Sequence, residues 1–151
     1  MTDVLLASLH HFAVFTLFAI LLAEHVLLRL PPRSETLRSL GRLDLIYGIC
    51  AVAVILIGIA RVAYGPKGTH FYLDNPIFWA KMGVFALIGL ISIVPTLRYL
   101  RWSKALRTDG SLPDPTAWSQ TRGWVQLQLA LFLTLPVLAV LMARGYGLVS
   151  H

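Results

Sequence analysis

The sequence predicts an all-α integral membrane protein, a four-helix bundle with both termini on the outer side. Three observations carry that reading. The apolar residues come in four blocks, 4–28, 43–64, 77–100 and 123–143, each long enough to cross a hydrocarbon core of ~30 Å. The 151 residues are 57% hydrophobic and 13% charged, with a mean hydropathy of +0.72, so the chain reads as one transmembrane domain over 1–151. Finally, nine of the thirteen Lys and Arg residues flank two of the connecting segments.

Those nine are Arg29, Arg33, Arg38 and Arg42 after the first block, with Arg98, Arg101, Lys104, Arg107 and Arg122 around the loop after the third. The positive-inside rule puts both loops in the cytoplasm, and hence the protein in an inner (plasma) membrane as a multi-pass chain. The net charge of +6 is thus a topology signal near anionic lipid, and nucleic acid is not expected as a partner. Met1-Thr2-Asp3 has no basic n-region, so a cleaved signal peptide is not expected. The single cysteine, Cys50, rules out a disulfide within the chain.

Taken in order, Pro31-Pro32 stops the first helix, and 34–40 is expected as a short interfacial turn. Gly65-Pro66-Lys67-Gly68 reads as a turn, with 69–72 along the outer interface. Asn75 caps the third helix, Pro76 fills its first turn, and Trp79 suits a membrane–water interface. The loop 108–119 carries Gly110, Pro113 and Pro115 and is expected to be solvated.

Polar residues are expensive in lipid, so those at helical spacing are expected to face the bundle. The predicted stripes are His10, Val14, Leu17, Leu21 and Glu24 on the first helix and Tyr47, Ala51, Val54, Gly58 and Arg61 on the second. On the third they are Lys81, Ile88, Ser92, Pro95 and Tyr99, and on the fourth Gln126, Ala130, Leu133, Val137, Val140 and Arg144. Depth sorts them into two groups. An outer group gathers His10, Lys81, Arg61, Tyr64, Arg144 and Tyr146. An inner one gathers Glu24, His25, Asp44, Tyr47, Thr96, Arg98 and Gln126, where Glu24 and Asp44 are expected to neutralise Arg98 or a loop arginine.

The outer group suits a tetrapyrrole with propionates. His10 is a candidate axial ligand to haem iron, and Lys81 a second metal ligand or an electrostatic partner. Arg61 and Arg144 are candidate propionate anchors, with Tyr64 beside them. The cofactor expected is haem b or a related porphyrin, exchanging electrons with a membrane quinone if the protein is redox-active. Helices two, three and four contain no histidine, so a bis-histidine two-haem cytochrome is excluded, while completion of the site across a homodimer axis stays open. Zinc sites, phosphate-binding loops and nucleophile elbows lack their motifs. A non-catalytic role, in which His10, Lys81 and Arg61 only hydrogen-bond the helices together and the protein works through a partner, is the alternative. Copper handling by His10, His11 and His70 is a third.

Arg42-Leu43-Asp44-Leu45-Ile46-Tyr47-Gly48, Gly58-Ile59-Ala60-Arg61, Asn75-Pro76-Ile77-Phe78-Trp79-Ala80-Lys81, Pro95-Thr96-Leu97-Arg98 and Met142-Ala143-Arg144-Gly145 resemble the recurring features of a domain-of-unknown-function family of bacterial four-helix membrane proteins. That resemblance spans nearly the whole chain and implies no activity. More distantly, Leu9-His10-His11 and the Trp79-x-Lys81 start of the third helix resemble HemJ-type protoporphyrinogen oxidases and copper-resistance D membrane proteins. The HemJ type implies haem binding, with His10 and Lys81 in the places of its histidine and lysine.

Overall fold

The computed structural model describes residues 2–65 and 68–147; Pro66 and Lys67 of the expected turn, and His151, lie outside the described residues. The elements are α1 (Thr2–Leu27), α2 (Ser34–Tyr64), α3 (Gly68–Leu73), α4 (Pro76–Thr108), α5 (Pro115–Phe132) and α6 (Thr134–Ala143), with no strand among the described residues. Four stretches are long and apolar enough to cross a membrane: Val4–Leu27, Ser34–Tyr64, Pro76–Thr108 and Pro115–Ala143.

Two helices outrun their apolar blocks. The segment 34–40, expected as a separate turn, is the first part of α2, and α4 continues to Thr108 rather than stopping near 100. Packing explains both. Leu37 and Leu40 are 0% exposed and share a helical face with Tyr47. Tyr99, Trp102 and Leu106 continue one face of α4 against Trp118 of α5. Gly41 of α2 faces Ser103 of α4, where a Cβ would sit at an ordinary contact distance of 3.7 Å from Ser103 Oγ. At ~1.5 Å per residue, α2 and α4 measure roughly 46 and 50 Å, well beyond a ~30 Å core. The surplus lies at the arginine-rich end, floored by Trp102 and Trp118 with ring centroids 5.6 Å apart. The Trp118 indole N–H donates to the Leu30 carbonyl at 3.0 Å, tying the α1–α2 loop to α5.

The fourth apolar block is broken. Helix α5 stops at Phe132, Leu133 is a turn, and α6 restarts at Thr134. Pro136 has no N–H to give and its ring crowds the carbonyl four residues back, at Phe132. The Thr134 hydroxyl donates to the Leu131 carbonyl at 2.7 Å, satisfying one acceptor the break frees. The face of this block also differs from the expected one. Gln126, Ala130, Leu133, Val137, Val140 and Arg144 are exposed, and the buried stripe is Trp118, Thr121, Val125, Gln128 and Phe132. Gln120, Gln126 and Gln128 lie on different faces of α5, and taking Gln126 as the inward one misdirected the register.

In the other three helices the predicted stripes do face inward. Leu17, Leu21, Val54 and Ile88 form the waist of the bundle, joined from α5 by Val125. Helix α1 lies along α2 and α5, α2 along α4, and α4 along both α5 and α6. At the end away from the arginines, however, no Cα of α6 comes within 8 Å of one in α1. Among the described residues the ring of helices is closed in its arginine-rich half and laterally open between α1 and α6 in the other.

Candidate functional site

The start of α4 is fixed first. Asn75 is 0% exposed; its Oδ1 accepts from the Ile77 N–H at 2.9 Å and its Nδ2 donates to the Tyr146 carbonyl at 3.2 Å. One side chain therefore caps α4 and latches it to the turn after α6. That turn needs glycine: Gly147 has φ +82°, and a Cβ there would meet Asn75 Oδ1 at 2.8 Å. The Trp79 indole N–H donates back to the Leu73 carbonyl at 2.9 Å, joining α3 to α4. With the helix start held this way, Lys81 stands five residues inside the span, ~7.5 Å along the axis.

His10 comes to the same level from α1. Its ring rests on Gly58 of α2, where a Cβ would lie 3.5 Å from Cε1 and 3.9 Å from Nδ1. Arg61, three residues on, shares that face of α2. The charges of Lys81 and Arg61 both act on the imidazole, and Arg61 acts on Lys81. The structure thus brings His10, Arg61 and Lys81 together from three helices. Among the described residues no carboxylate pairs with any of them, the single ion pair being His70–Asp74 at 3.6 Å on and just beyond α3. His10 Nδ1 and Arg61 Nε are buried without a hydrogen-bond partner among the described residues.

Two other candidates lie apart. Tyr64 is 78% exposed and Arg144 is exposed. The three histidines of the copper alternative are dispersed. His11 is exposed, its Nδ1 2.6 Å from the Ala7 carbonyl on its own helix, and its ring centroid is 6.3 Å from that of His10. His70 is held by Asp74. Among the described residues no three His, Cys, Asp or Glu side chains gather as a metal site would need.

For a haem the fit is that of one imidazole and two cations. With the Nδ1 edge of His10 against Gly58, Nε2 is the nitrogen left to donate. The orphaned Nε of Arg61 and the ammonium of Lys81 are the groups that carboxylates would satisfy.

A second polar cluster lies at the arginine-rich end, and it is not the neutralised one expected. Arg98 turns to α5, donating to the Ala117 carbonyl and the Thr121 hydroxyl, both at 3.0 Å, and to Gln120 Oε1 at 3.3 Å. Glu24 and Asp44 are left facing each other with Tyr47 and Tyr99 beside them. His25, next in sequence to Glu24, lies instead beside Arg29 and Arg122. Tyr99 belonged to a predicted stripe but not to the predicted inner group; its place three residues after Thr96 was the signal that could have added it.

Residues 2–147 match the family described as predicted membrane protein (DUF2214). The chain belongs to that family. Membership in DUF2214 agrees with the four apolar spans and supplies no chemistry. Comparison with curated proteins and with solved structures gives no match. A similarity of this DUF2214 chain to HemJ-type enzymes is not shown by these comparisons.

Proposed function

We propose that this membrane protein binds an anionic, membrane-soluble tetrapyrrole, b-type haem or its porphyrin, in the laterally open half of the bundle. The observation that carries this reading is the cluster of His10, Arg61 and Lys81 with no acid to neutralise it. Uncompensated cations within a bilayer are costly, so a site that keeps them is built for an anion from outside the chain. The gap between α1 and α6 gives such a ligand a path from the lipid.

In this reading His10 Nε2 would hold the iron, and Arg61 and Lys81 would hold the propionates. Arg144, exposed at the end of α6, meets the ligand's polar edge at the surface. When bound, the iron would supply one-electron chemistry, with a membrane quinone as the natural partner. With the basic loops in the cytoplasm of a bacterial cell, the site lies beneath the periplasmic face of the inner membrane.

Titration of hemin into the detergent-solubilised protein tests this. A saturable Soret shift at one haem per chain is expected, lost or displaced in His10→Ala while Lys81→Met weakens binding and keeps the ligation spectrum. A titration curve no different from that of empty micelles would sink the proposal.

A further inference from the structure

The second cluster is made only of oxygen. Glu24, 3% exposed, comes from α1; Asp44 and Tyr47 come from α2; Thr96 and Tyr99 come from α4. The Thr96 hydroxyl donates to Asp44 Oδ1 at 2.7 Å, which directs that carboxyl into the bundle. Glu24 faces the same point from the opposite helix, close enough for the two carboxyls to act on each other. Glu24 Oε1 is buried without a hydrogen-bond partner. The hydroxyl of Tyr99, a residue only 1% exposed, points at Glu24 yet stops short of a hydrogen bond and has no other partner.

Two buried polar atoms, Glu24 Oε1 and the Tyr99 hydroxyl, are thus left without a hydrogen-bond partner among the described residues. The arginine of α4 nearest in sequence, Arg98, is committed to α5. Two carboxylates cannot both stay ionised in such surroundings without a counter-charge. Carboxylate, hydroxyl and phenol oxygens are hard donors, and with no nitrogen or sulfur among them they select a small hard cation.

We propose that Glu24 and Asp44, with Thr96, Tyr47 and Tyr99, form a binding site for one small hard monovalent cation, a proton or a sodium ion. The site is independent of the basic cluster, which lies beyond the Leu17–Leu21 waist. It gives the protein a place to take up a cation at one end while it holds an anion near the other.

Dicyclohexylcarbodiimide tests this, because it adds to a protonated carboxyl in apolar surroundings to give a stable N-acylurea. The full-length protein in detergent, near neutral pH and free of sodium, is expected to be labelled at Glu24, as located by mass spectrometry, and Glu24→Gln to lose the label. Sodium that protects Glu24 identifies sodium as a ligand; labelling indifferent to sodium identifies the proton. Asp44→Asn, which leaves Glu24 in place, is expected to slow labelling several-fold. Absence of label on Glu24 in folded protein would overturn the proposal. Equal labelling rates in wild type and Asp44→Asn would do so as well.

Discussion

The two polar clusters of this bundle are opposites. One holds an imidazole, a guanidinium and an ammonium from α1, α2 and α4; the other holds two carboxyls and three hydroxyls from the same three helices. His10 and Glu24 are fourteen residues apart on α1, ~21 Å along the axis, and Leu17, Leu21, Val54 and Ile88 fill the space between. A chain selected only for stability would bring these charges together or omit them. Keeping them apart leaves neither cluster neutralised by the other. The clusters differ in enclosure as well. The carboxyls sit where α1 meets α5 and the ring of helices is complete; the cations sit where α1 and α6 part. The closed cluster suits a bare ion, and the open one suits a ligand as broad as a tetrapyrrole.

The contrast can be broken most strongly at Arg61. Arg61→Glu places a carboxylate between His10 and Lys81, so the cluster neutralises itself. Hemin affinity in detergent is expected to fall about 100-fold, as loss of charge-assisted contacts worth ~2–3 kcal/mol implies, with labelling at Glu24 unchanged. Asn75→Ala acts next. It removes both the cap on α4 and the latch to Tyr146, and should cost about 2 kcal/mol in reversible unfolding in detergent. Its effect on ligand binding follows from a displaced Lys81, so the cation cluster should suffer and the carboxyl cluster should not.

Trp118→Phe probes the closed end. It keeps the aromatic packing on Trp102 and loses only the hydrogen bond to the Leu30 carbonyl, an expected ~1 kcal/mol by the same unfolding measurement. Gly58→Ala should be close to neutral, since a Cβ there meets His10 at an ordinary contact distance of 3.5 Å; Gly58→Leu should push the imidazole away and weaken hemin binding about tenfold. The smallest effect lies outside the membrane, at Asp109. The Ser111 N–H and hydroxyl both donate to its Oδ1, at 3.1 and 2.8 Å, and hold its carboxyl below the usual range. The stabilisation this gives is present above the ordinary carboxylate pKa and is lost as pH falls through the lowered one. In Ser111→Ala, which loses the hydroxyl but keeps the N–H bond, the Asp109 carboxyl carbon should titrate at a higher pH than in wild type by NMR, part of the way back to an ordinary value.

Much of this organisation was legible in the sequence because lipid imposes a coarse rule. Apolar blocks gave the four spans, and costly polar residues at helical spacing gave the inward faces of α1, α2 and α4, including His10, Arg61 and Lys81 at one depth. Depth did not translate into contact for Tyr64 and Arg144, which end their helices on the same side but remain exposed. The fourth block resisted because its glutamines point to different faces and it is broken near Pro136, so Gln126 was taken as inward where the packing buries Gln128. The extensions of α2 and α4 were hidden for a different reason: hydropathy marks where lipid ends, whereas Leu37, Leu40 and Trp102 continue the helices by packing on one another. Arg98 was misassigned because opposite charge at similar depth suggested a pair, while its own helix face aims it at Ala117 and Thr121 on α5.

The central claim is that the uncompensated cations in the open half hold an anionic tetrapyrrole through His10. The most direct measurement is the reduced-minus-oxidised absorption spectrum of the protein purified from membranes and supplied with hemin, recorded for wild type and His10→Ala. The account predicts sharp b-type bands in wild type and their loss or displacement in the variant, with both proteins equally folded. Identical spectra for the two proteins, or none beyond that of hemin in empty micelles, would contradict it.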